Sequence, residues 1–309
     1  MDFKKLRYFV AVAEEKHFGR AAEKLHLTQP PLSLQIKQLE EDIGVSLLDR
    51  TTRRVELTDA GKVFLQRAKQ ILQATVEAER AAQQTALGME GRLELGFVSS
   101  SVLSILPKAL RMFRSRYPDV ELELFEMTAA AQSEALLNGQ IRLGVVRLPL
   151  AMPELQVEEL LREPLLIALP EGHELSAQTD ITLPMLENRP LIFFTRQLVP
   201  GLYAQLLEMF RRINTLPKVS QHAVHLHTIT ELVASGIGIA IVPTSALRLR
   251  SPGVVYRPFA AKNAVTRLGV ARLEPPSTLV DNFVVTLRDA VTEYEAEMTN
   301  PEAWYNRDA

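Results

Sequence analysis

Two adjacent prolines, Pro30 and Pro31, begin a run whose apolar residues recur at helical spacing. If Thr28 caps this helix, the prolines fall in its first turn, where N–H groups have no intrahelical partner and proline costs no hydrogen bond. The run therefore predicts a helix with a rigid start. Its inward stripe is Leu32, Ile36, Leu39 and Ile43. The outward positions near the first turn are Ser33, Leu34 and Lys37.

Two shorter helical patterns precede this run. Residues 3–15 carry one apolar stripe, and residues 20–25 predict a second helix after a possible N-cap at Gly19. A short helix, a break and a helix with a polar, cationic outer face fit a helix-turn-helix, which inserts its second helix into the DNA major groove. The alternative is an ordinary surface helix of a three-helix bundle.

Residues 47–58 show two short apolar runs around a polar turn, which predicts a β-hairpin. A cationic hairpin directly after a helix-turn-helix is typical of a wing that contacts phosphates or the minor groove. A solvated surface turn is the alternative. The candidate wing residues are Arg50, Arg53 and Arg54.

A long amphipathic run begins near Thr58 and ends at Gly88. About thirty residues give a helix of roughly 45 Å, which cannot bury its apolar stripe alone. We expect two copies of this helix to pair, so that a symmetric dimer presents two recognition helices. The stripe is Phe64, Ala68, Ile71, Thr75, Ala78 and Ala82.

From residue 91 onward, strand-like segments alternate with helical ones, which predicts an α/β domain. A second set of strands and helices follows the first, and the last strand and helix return to it. Two α/β lobes would leave a cleft between them. The predicted fold is therefore an N-terminal all-α winged helix-turn-helix at 1–58, a linker helix at 59–90 and a two-lobed α/β domain at 91–309. We assign lobe I to about 91–162 and 265–309, and lobe II to about 163–264.

Polar side chains follow several predicted strands of this domain. Open N–H groups and the helix dipole at such strand-to-helix turns favour an anion, and ligands of open α/β sheets lie beyond the carboxyl ends of strands. Serine at a helix start is more often only a cap. The pattern still favours a small carboxylate ligand. The candidate residues are Ser99, Ser100, Ser101, Thr128 and Arg147 in lobe I, with Pro200, Gly201, Tyr203 and His227 in lobe II.

Composition and motifs exclude several classes of function. The chain has no cysteine, a net charge of −2 and no apolar run near the ~20 residues that span a bilayer. No signal-peptide pattern precedes residue 20, so we expect a cytoplasmic protein without a membrane partner. The spacing of His222, His225 and His227 fits no metal motif, and no nucleophile elbow or P-loop occurs. We expect no catalytic residue, metal or cofactor.

The order of helix-turn-helix, arginine wing and long helix over residues 6–65 resembles the LysR-type transcriptional regulators. The resemblance extends, more loosely, over the whole chain, and "LRYFVAVAEE", "QPPLS" and "GFVSSS" resemble the branch that governs catabolism of aromatic and small organic acids. It implies a periplasmic-binding-protein-like effector domain and DNA contacts from the recognition helix and the wing. The implied DNA-binding residues are Gln29, Pro30, Pro31, Ser33, Leu34, Lys37, Arg50, Arg53 and Arg54.

The resemblance further implies that Ser99, Thr128 and residues 200–203 line the effector cleft. Relatives often carry a polar residue in place of Leu34, so the operator sequence stays open. The expected partners are promoter DNA, a small organic acid, a second copy of the chain in a homodimer or homotetramer, and RNA polymerase. The alternative is an α/β enzyme fused to a DNA-binding head. A solute-binding protein of similar lobes is disfavoured by the extra head.

Overall fold

A computed structural model of the chain describes residues 1–50, 55–150 and 152–298. The chain divides into two compact units, Met1–Gln84 and the part from Thr85 onward. Residues Arg53 and Arg54 lie outside the described residues, and so does the side chain of Arg50.

The first unit is a bundle of helices with a small two-stranded sheet. Its helices are α1 (Phe3–Glu15), α2 (Phe18–Lys24), α3 (Gln29–Ile43) and α4 (Asp59–Ala86). Its strands are β1 (Leu48–Arg50) and β2 (Val55–Leu57), which pair antiparallel. The N-cap of α2 is His17, whose Nδ1 accepts from the N–H groups of Gly19 and Arg20. The prediction of Gly19 as the cap was therefore wrong, because the imidazole two residues earlier supplies the acceptor that glycine lacks.

Helix α3 begins as its sequence predicts, with Pro30 and Pro31 in the first turn. Leu32, Ile36 and Leu39 are fully buried in the core of the unit. Thr28 occupies the N-cap position, although its side chain makes no capping hydrogen bond. The fixed φ of the two prolines, and not a side-chain cap, therefore fixes where this helix starts.

Helix α4 is 28 residues long and begins against the rest of the first unit. A Cβ atom at Gly61 would lie 2.0 Å from the carbonyl oxygen of Leu47, so only glycine permits this close approach. Phe64 packs edge-on against Phe9 of α1, with ring centroids 5.1 Å apart, and Ala68 is fully buried. The predicted pairing stripe is thus divided. Its first two residues belong to the core of their own unit, and only the part from Ile71 onward faces outward.

The second unit contains one mixed sheet that serves two lobes. Its strands in chain order are β3 (Glu90–Phe97), β4 (Asp119–Glu126), β5 (Leu143–Leu148), β6 (Gln156–Pro170), β7 (Leu191–Phe194), β8 (Val219–Ala223), β9 (Ile239–Pro243), β10 (Val254–Pro258) and β11 (Val265–Arg272). Their order is β4-β3-β5-β11-β6-β9-β7-β8, and β10 pairs with β6 beside this path. Parallel pairing of β3 with β4 and β5 brings the carboxyl ends of these strands to one edge.

Strand β6 connects the lobes. Its first part pairs with β11 as far as Pro164, and its second part pairs with β9 from Leu165 and with β10. One apolar core lies beneath β3, β5 and β11, and a separate one lies beneath β6, β7 and β9. We call the part around the first core lobe I and the part around the second lobe II.

Helices cover both lobes. Those of lobe I are α5 (Leu106–Arg116), α6 (Ala129–Leu137) and α9 (Thr278–Met298), and those of lobe II are α7 (Pro200–Arg211) and α8 (Leu226–Ala234). A 3₁₀ helix at Ser99–Leu103 intervenes between β3 and α5, so the serines begin a tight 3₁₀ turn and not an α-helix. Among the described residues, no helix is long and apolar enough to cross a membrane.

Candidate nucleic-acid interface and ligand cavity

One face of α3 is open to solvent and carries most of the DNA-binding residues expected from the sequence. Gln29, Pro30 and Pro31 are exposed in the first turn, and Leu34 is 55% exposed on the next. Lys37 is exposed one turn later and pairs with Glu41 at 3.7 Å. Both partners of that pair are well solvated, so the pair contributes little and leaves the ammonium available. Ser33 is half-buried at the side of this stripe.

Carboxylates of α3 hold the helix against its neighbours. The Oε1 atom of Glu40 accepts from the N–H groups of Leu47 and Leu48 at 2.8 and 3.0 Å, which fixes the start of β1. Asp42 accepts from the Lys5 ammonium at 2.8 Å. The hydrogen bond from Lys5 and then that from the N-terminal ammonium lower the pKa of Asp42. These contacts give the exposed face of α3 a fixed orientation within the first unit.

The β1–β2 pair carries the candidate wing. Arg50 is the last residue of β1 and pairs in register with Val55, the first residue of β2. The two strands of the hairpin predicted from the sequence are therefore present and paired. Because Arg53 and Arg54 lie outside the described residues, their DNA contacts stay a prediction.

A cavity of about 830 Å³ lies between the lobes of the second unit. The carboxyl ends of β3, β4 and β5 lead into it from lobe I, and the starts of α7 and α8 border it from lobe II. Its hydroxyl-bearing lining residues include Ser99, Ser100 and Thr128. On the opposite side, Pro200 and Gly201 approach lobe I so closely that a Cβ atom at Gly201 would lie 3.4 Å from the carbonyl oxygen of Pro149.

Three helix N-termini border the cavity. Thr128 caps α6 and accepts from the N–H of Ala131, which leaves its hydroxyl hydrogen free to donate. Val199 precedes α7 and His225 precedes α8, and neither side chain makes a capping hydrogen bond. First-turn N–H groups and helix dipoles at such ends favour negative charge.

Arg147 lies beneath the hydroxyl groups and is 8% exposed. Its Nη2 atom donates to Ser100 Oγ at 2.8 Å and to Glu163 Oε2 at 3.2 Å, and its Nη1 atom donates to Thr266 Oγ1 at 2.9 Å. The Glu163 carboxylate balances the guanidinium charge inside the protein, so Arg147 supports Ser100 more than it offers an open positive charge.

Glu163 also lies near Tyr294. Burial raises the pKa of Tyr294, and the neighbouring Glu163 carboxylate raises it further.

The rest of the lining is mainly apolar. Two carboxylates also border the cavity from lobe I, Glu126 at the end of β4 and Glu134 on α6. Both are exposed, and neither forms an ion pair within the described part of the chain. The apolar lining includes Met127, Leu150, Met152, Phe194, Leu198 and Leu202.

The structure brings six of the nine predicted effector residues to this cavity: Ser99, Ser100, Thr128, Arg147, Pro200 and Gly201. The other three lie elsewhere. Ser101 is fully buried and donates to the carbonyl of Val98, and the Tyr203 ring packs edge-on against Phe193. His227 is exposed and stacks on His225.

The sequence analysis selected His227 at this strand-to-helix turn, whereas His225, two residues earlier, is the histidine that lines the cavity. The signal was present, because His225 directly precedes the apolar stripe of α8 and so stands at its N-terminus. Within the described residues, no group of three or more His, Asp or Glu side chains is placed to hold a metal ion.

Comparison with known families matches nearly the whole chain. Residues 3–62 match the bacterial regulatory helix-turn-helix protein, lysR family, and residues 86–292 match the LysR substrate binding domain. These matches, with the observed topology, confirm the predicted fold of a helix-turn-helix followed by a two-lobed α/β domain.

Individual relatives agree with the family matches. The transcriptional regulator AlsR of Bacillus subtilis is 41% identical over 257 residues, covering 83% of this chain and 85% of AlsR. BenM of Acinetobacter baylyi is 32% identical over 307 residues, covering 98% of this chain and all of BenM. The crystal structure of full-length CbnR complexed with its target DNA superposes with a TM-score of 0.84 at 28% identity, covering 94% of this chain and 100% of CbnR. AlsR, BenM and CbnR are all named as transcriptional regulators.

Proposed function

We propose that this chain, which belongs to the LysR family of DNA-binding transcriptional regulators, senses a small organic acid in the cavity between its lobes and changes promoter transcription in response. The family assignment rests on matches that span both units. The observation that carries the ligand proposal is the convergence of hydroxyl groups and three helix N-termini on one apolar cavity.

The polar end of the cavity suits a carboxylate. The hydroxyls of Ser99, Ser100 and Thr128 can each donate a hydrogen bond, and uncapped N–H groups at α7 and α8 add favourable dipoles. Met, Leu and Phe side chains on the remaining walls suit a hydrocarbon or aromatic body. The ligand class is therefore an apolar carboxylic acid.

The charges around the cavity favour a ligand with one carboxylate over a ligand with two. Glu163 already neutralises Arg147, whereas Glu126 and Glu134 have no ion-pair partner within the described residues. A second carboxylate near them would meet repulsion between like charges. We propose that the far end of the ligand is uncharged or carries a hydrogen-bond donor, and that no metal or cofactor is required.

Ligand binding would change the balance between lobe arrangements. A ligand that contacts both lobes favours whichever arrangement gives it more contacts, and it shifts the population by that difference in affinity. We propose that this shift alters the spacing of the DNA-binding units in an oligomer. The bend of promoter DNA and the access of RNA polymerase would then change with it.

The DNA contacts would come from the exposed stripe of α3 and from the wing. Gln29, Ser33 and Lys37 offer polar groups, and Leu34 offers an apolar surface suited to a thymine methyl group. We propose that the first turn of α3, from Gln29 to Pro31, enters the major groove. Arg50, Arg53 and Arg54 would contact the backbone or the minor groove.

Self-association would pair the α4 helices of two copies in the cytoplasm. Ile71 and Val76 are 40% and 58% exposed, and Ala78 and Ala82 are also exposed. An apolar strip on an exposed helix is best buried against another helix. We propose a homodimer through α4, and a homotetramer through a further contact between effector domains.

Selection of genomic fragments by the purified full-length chain tests the regulator function. At about 50 mM salt we expect recovery of a small set of promoter fragments, with affinity that falls steeply as salt rises. Footprints on these fragments should change when an organic acid is added, and Ser99→Ala should remove that change while operator affinity stays. Equal retention of all fragments, regardless of sequence, would contradict the proposal.

A further inference from the structure

His225 stands at the lobe II side of the ligand cavity. It directly precedes α8 in an extended conformation, with φ −97° and ψ 140°, and its side chain is exposed and makes no capping bond to the helix. Its ring stacks on that of His227, with centroids 5.6 Å apart and an interplanar angle of 16°. The imidazole therefore lies at the cavity edge, stacked on His227 and without a hydrogen bond to its own helix.

The partner across the cavity is Ser99 of lobe I. The Nδ1 atom of His225 lies 3.4 Å from the Oγ atom of Ser99. This distance is well beyond the ~2.8 Å typical of hydrogen bonds made by a hydroxyl. The two atoms approach each other without forming a strong bond, and they belong to different lobes.

An acceptor atom of a ligand, placed beside Ser99 Oγ and His225 Nδ1, can form shorter hydrogen bonds to both than they form to each other. A serine hydroxyl can donate, and so can the Nδ1 atom of an imidazole in the tautomer that carries its proton there. An oxygen about 2.8 Å from each donor completes a triangle on the 3.4 Å base, so one acceptor can receive both hydrogen bonds. A carboxylate oxygen is such an acceptor, and its charge strengthens both bonds.

We infer that His225 is a ligand-binding residue that, together with Ser99, holds one carboxylate oxygen of the ligand from opposite sides of the cleft. The inference rests on the proposed function, because it names how the cavity recognises its organic acid. Ser100 and Thr128 contact the same end of the ligand from lobe I alone. His225 adds a lobe II side chain to the helix N-termini that face the ligand's charge.

This arrangement gives the carboxylate a double role. With the ligand bound, one oxygen bridges Ser99 and His225, so closure of the lobes gains a hydrogen bond from each side. A neutral molecule of the same shape offers a weaker acceptor and gains less from closure. The site should therefore distinguish an acid from its amide through His225.

Benzoate and benzamide provide matched probes, because they share an apolar ring and differ in charge. Calorimetric titration of the full-length chain should give tighter binding of benzoate than of benzamide. His225→Leu should weaken benzoate binding at least about tenfold, as expected for loss of a hydrogen bond to a charged group, and should change benzamide binding much less. The benzoate affinity of His225→Gln, which keeps a neutral donor, should lie between those of the parent chain and His225→Leu.

His222→Leu is the matched control, since it makes the same substitution in the same lobe at a histidine outside the cavity lining. It should bind benzoate within about threefold of the parent chain. Undiminished benzoate affinity in His225→Leu would overturn the inference and leave the proposed function standing. Failure of the parent chain to prefer benzoate over benzamide would overturn the proposed ligand class as well, whereas DNA binding is measured separately.

Discussion

The Nη2 atom of Arg147 donates a 2.8 Å hydrogen bond to the Oγ atom of Ser100. Because a guanidinium can only donate, this bond occupies a lone pair of the Ser100 oxygen and leaves the hydroxyl hydrogen free. Ser100 also lines the cavity. The buried Arg147–Glu163 pair thus leaves the Ser100 hydroxyl able to donate into the cavity.

Arg147→Met should destabilise the chain by about 3–5 kcal/mol, since it leaves the Glu163 carboxylate buried without a partner. The double variant Arg147→Met, Glu163→Met should recover most of this loss, because the second substitution removes the unpaired charge. Urea denaturation followed by far-UV circular dichroism measures both. Equal losses in the single and double variants would contradict the role given to the pair.

A monocarboxylic acid should bind the cavity more tightly than a dicarboxylic acid of equal length. Hexanoate and adipate are suitable probes, and calorimetry should favour hexanoate by about tenfold or more, because Glu126 and Glu134 repel a second carboxylate. The double variant Glu126→Gln, Glu134→Gln should narrow the difference. A parent chain that prefers adipate would refute the charge argument.

Lys37→Ala should weaken DNA binding on all sequences and reduce the slope of log affinity against log salt by about one. Leu34→Ala should leave that slope unchanged and alter the base preference at one position. Fluorescence anisotropy with labelled operator at several salt concentrations distinguishes the two effects. An unchanged slope in Lys37→Ala would mean that this ammonium does not meet a phosphate.

Ile71→Glu combined with Ala78→Glu should shift the chain from dimer or tetramer toward monomer, because both positions are exposed on α4. Phe64 is left unchanged, since its contact with Phe9 belongs to the core of its own unit. Leu216→Glu is the control, as Leu216 is 69% exposed on lobe II. Light scattering reports the mass, and a double variant that keeps the parent mass would exclude α4 as the contact.

Acid should weaken the first unit partly through Glu14. The hydrogen bond from Lys69 of α4, at 2.7 Å, is the main cause that lowers the pKa of Glu14, and Lys24 adds to it. A carboxylate whose folded pKa is depressed stabilises the fold above its unfolded pKa, and this contribution is lost as pH falls through the folded pKa. The effect is modest because Glu14 is largely solvated.

Glu14→Gln removes this titration. We expect the thermal midpoint of the parent chain, read from helical circular dichroism, to exceed that of the variant near pH 6. The gap should close as the pH falls below about 4.3, the unfolded pKa of a glutamate, because the folded pKa of Glu14 lies lower. A difference in thermal midpoint that stays constant as the pH falls would mean that the charge of Glu14 does not contribute to stability.

Local patterns predicted the elements that depend on local chemistry. The proline start of α3 follows from spacing and end signals, and so does the alternation of strands and helices from residue 91 onward. The first half of β6 does not follow from local pattern. The segment 156–163 carries four charged residues, and it is a strand because β11 pairs with it along its length.

Pairing between distant segments also limits prediction of the site. The buried Glu163 carboxylate has its charge partner in Arg147, which lies sixteen residues earlier in the chain and meets it across the sheet. Ser99 and His225 meet across 126 residues of sequence. The polar side chains at each strand end could be identified from the sequence. The choice between His225 and His227 required knowing where α8 begins.

The passage of β6 through both lobes has a mechanical consequence. When the lobes part, this continuous segment must bend or twist, and its ladder need not come undone. A bend confined to β6 would keep its hydrogen bonds to β9, β10 and β11, so neither half of the sheet would gain an unpaired edge open to other chains.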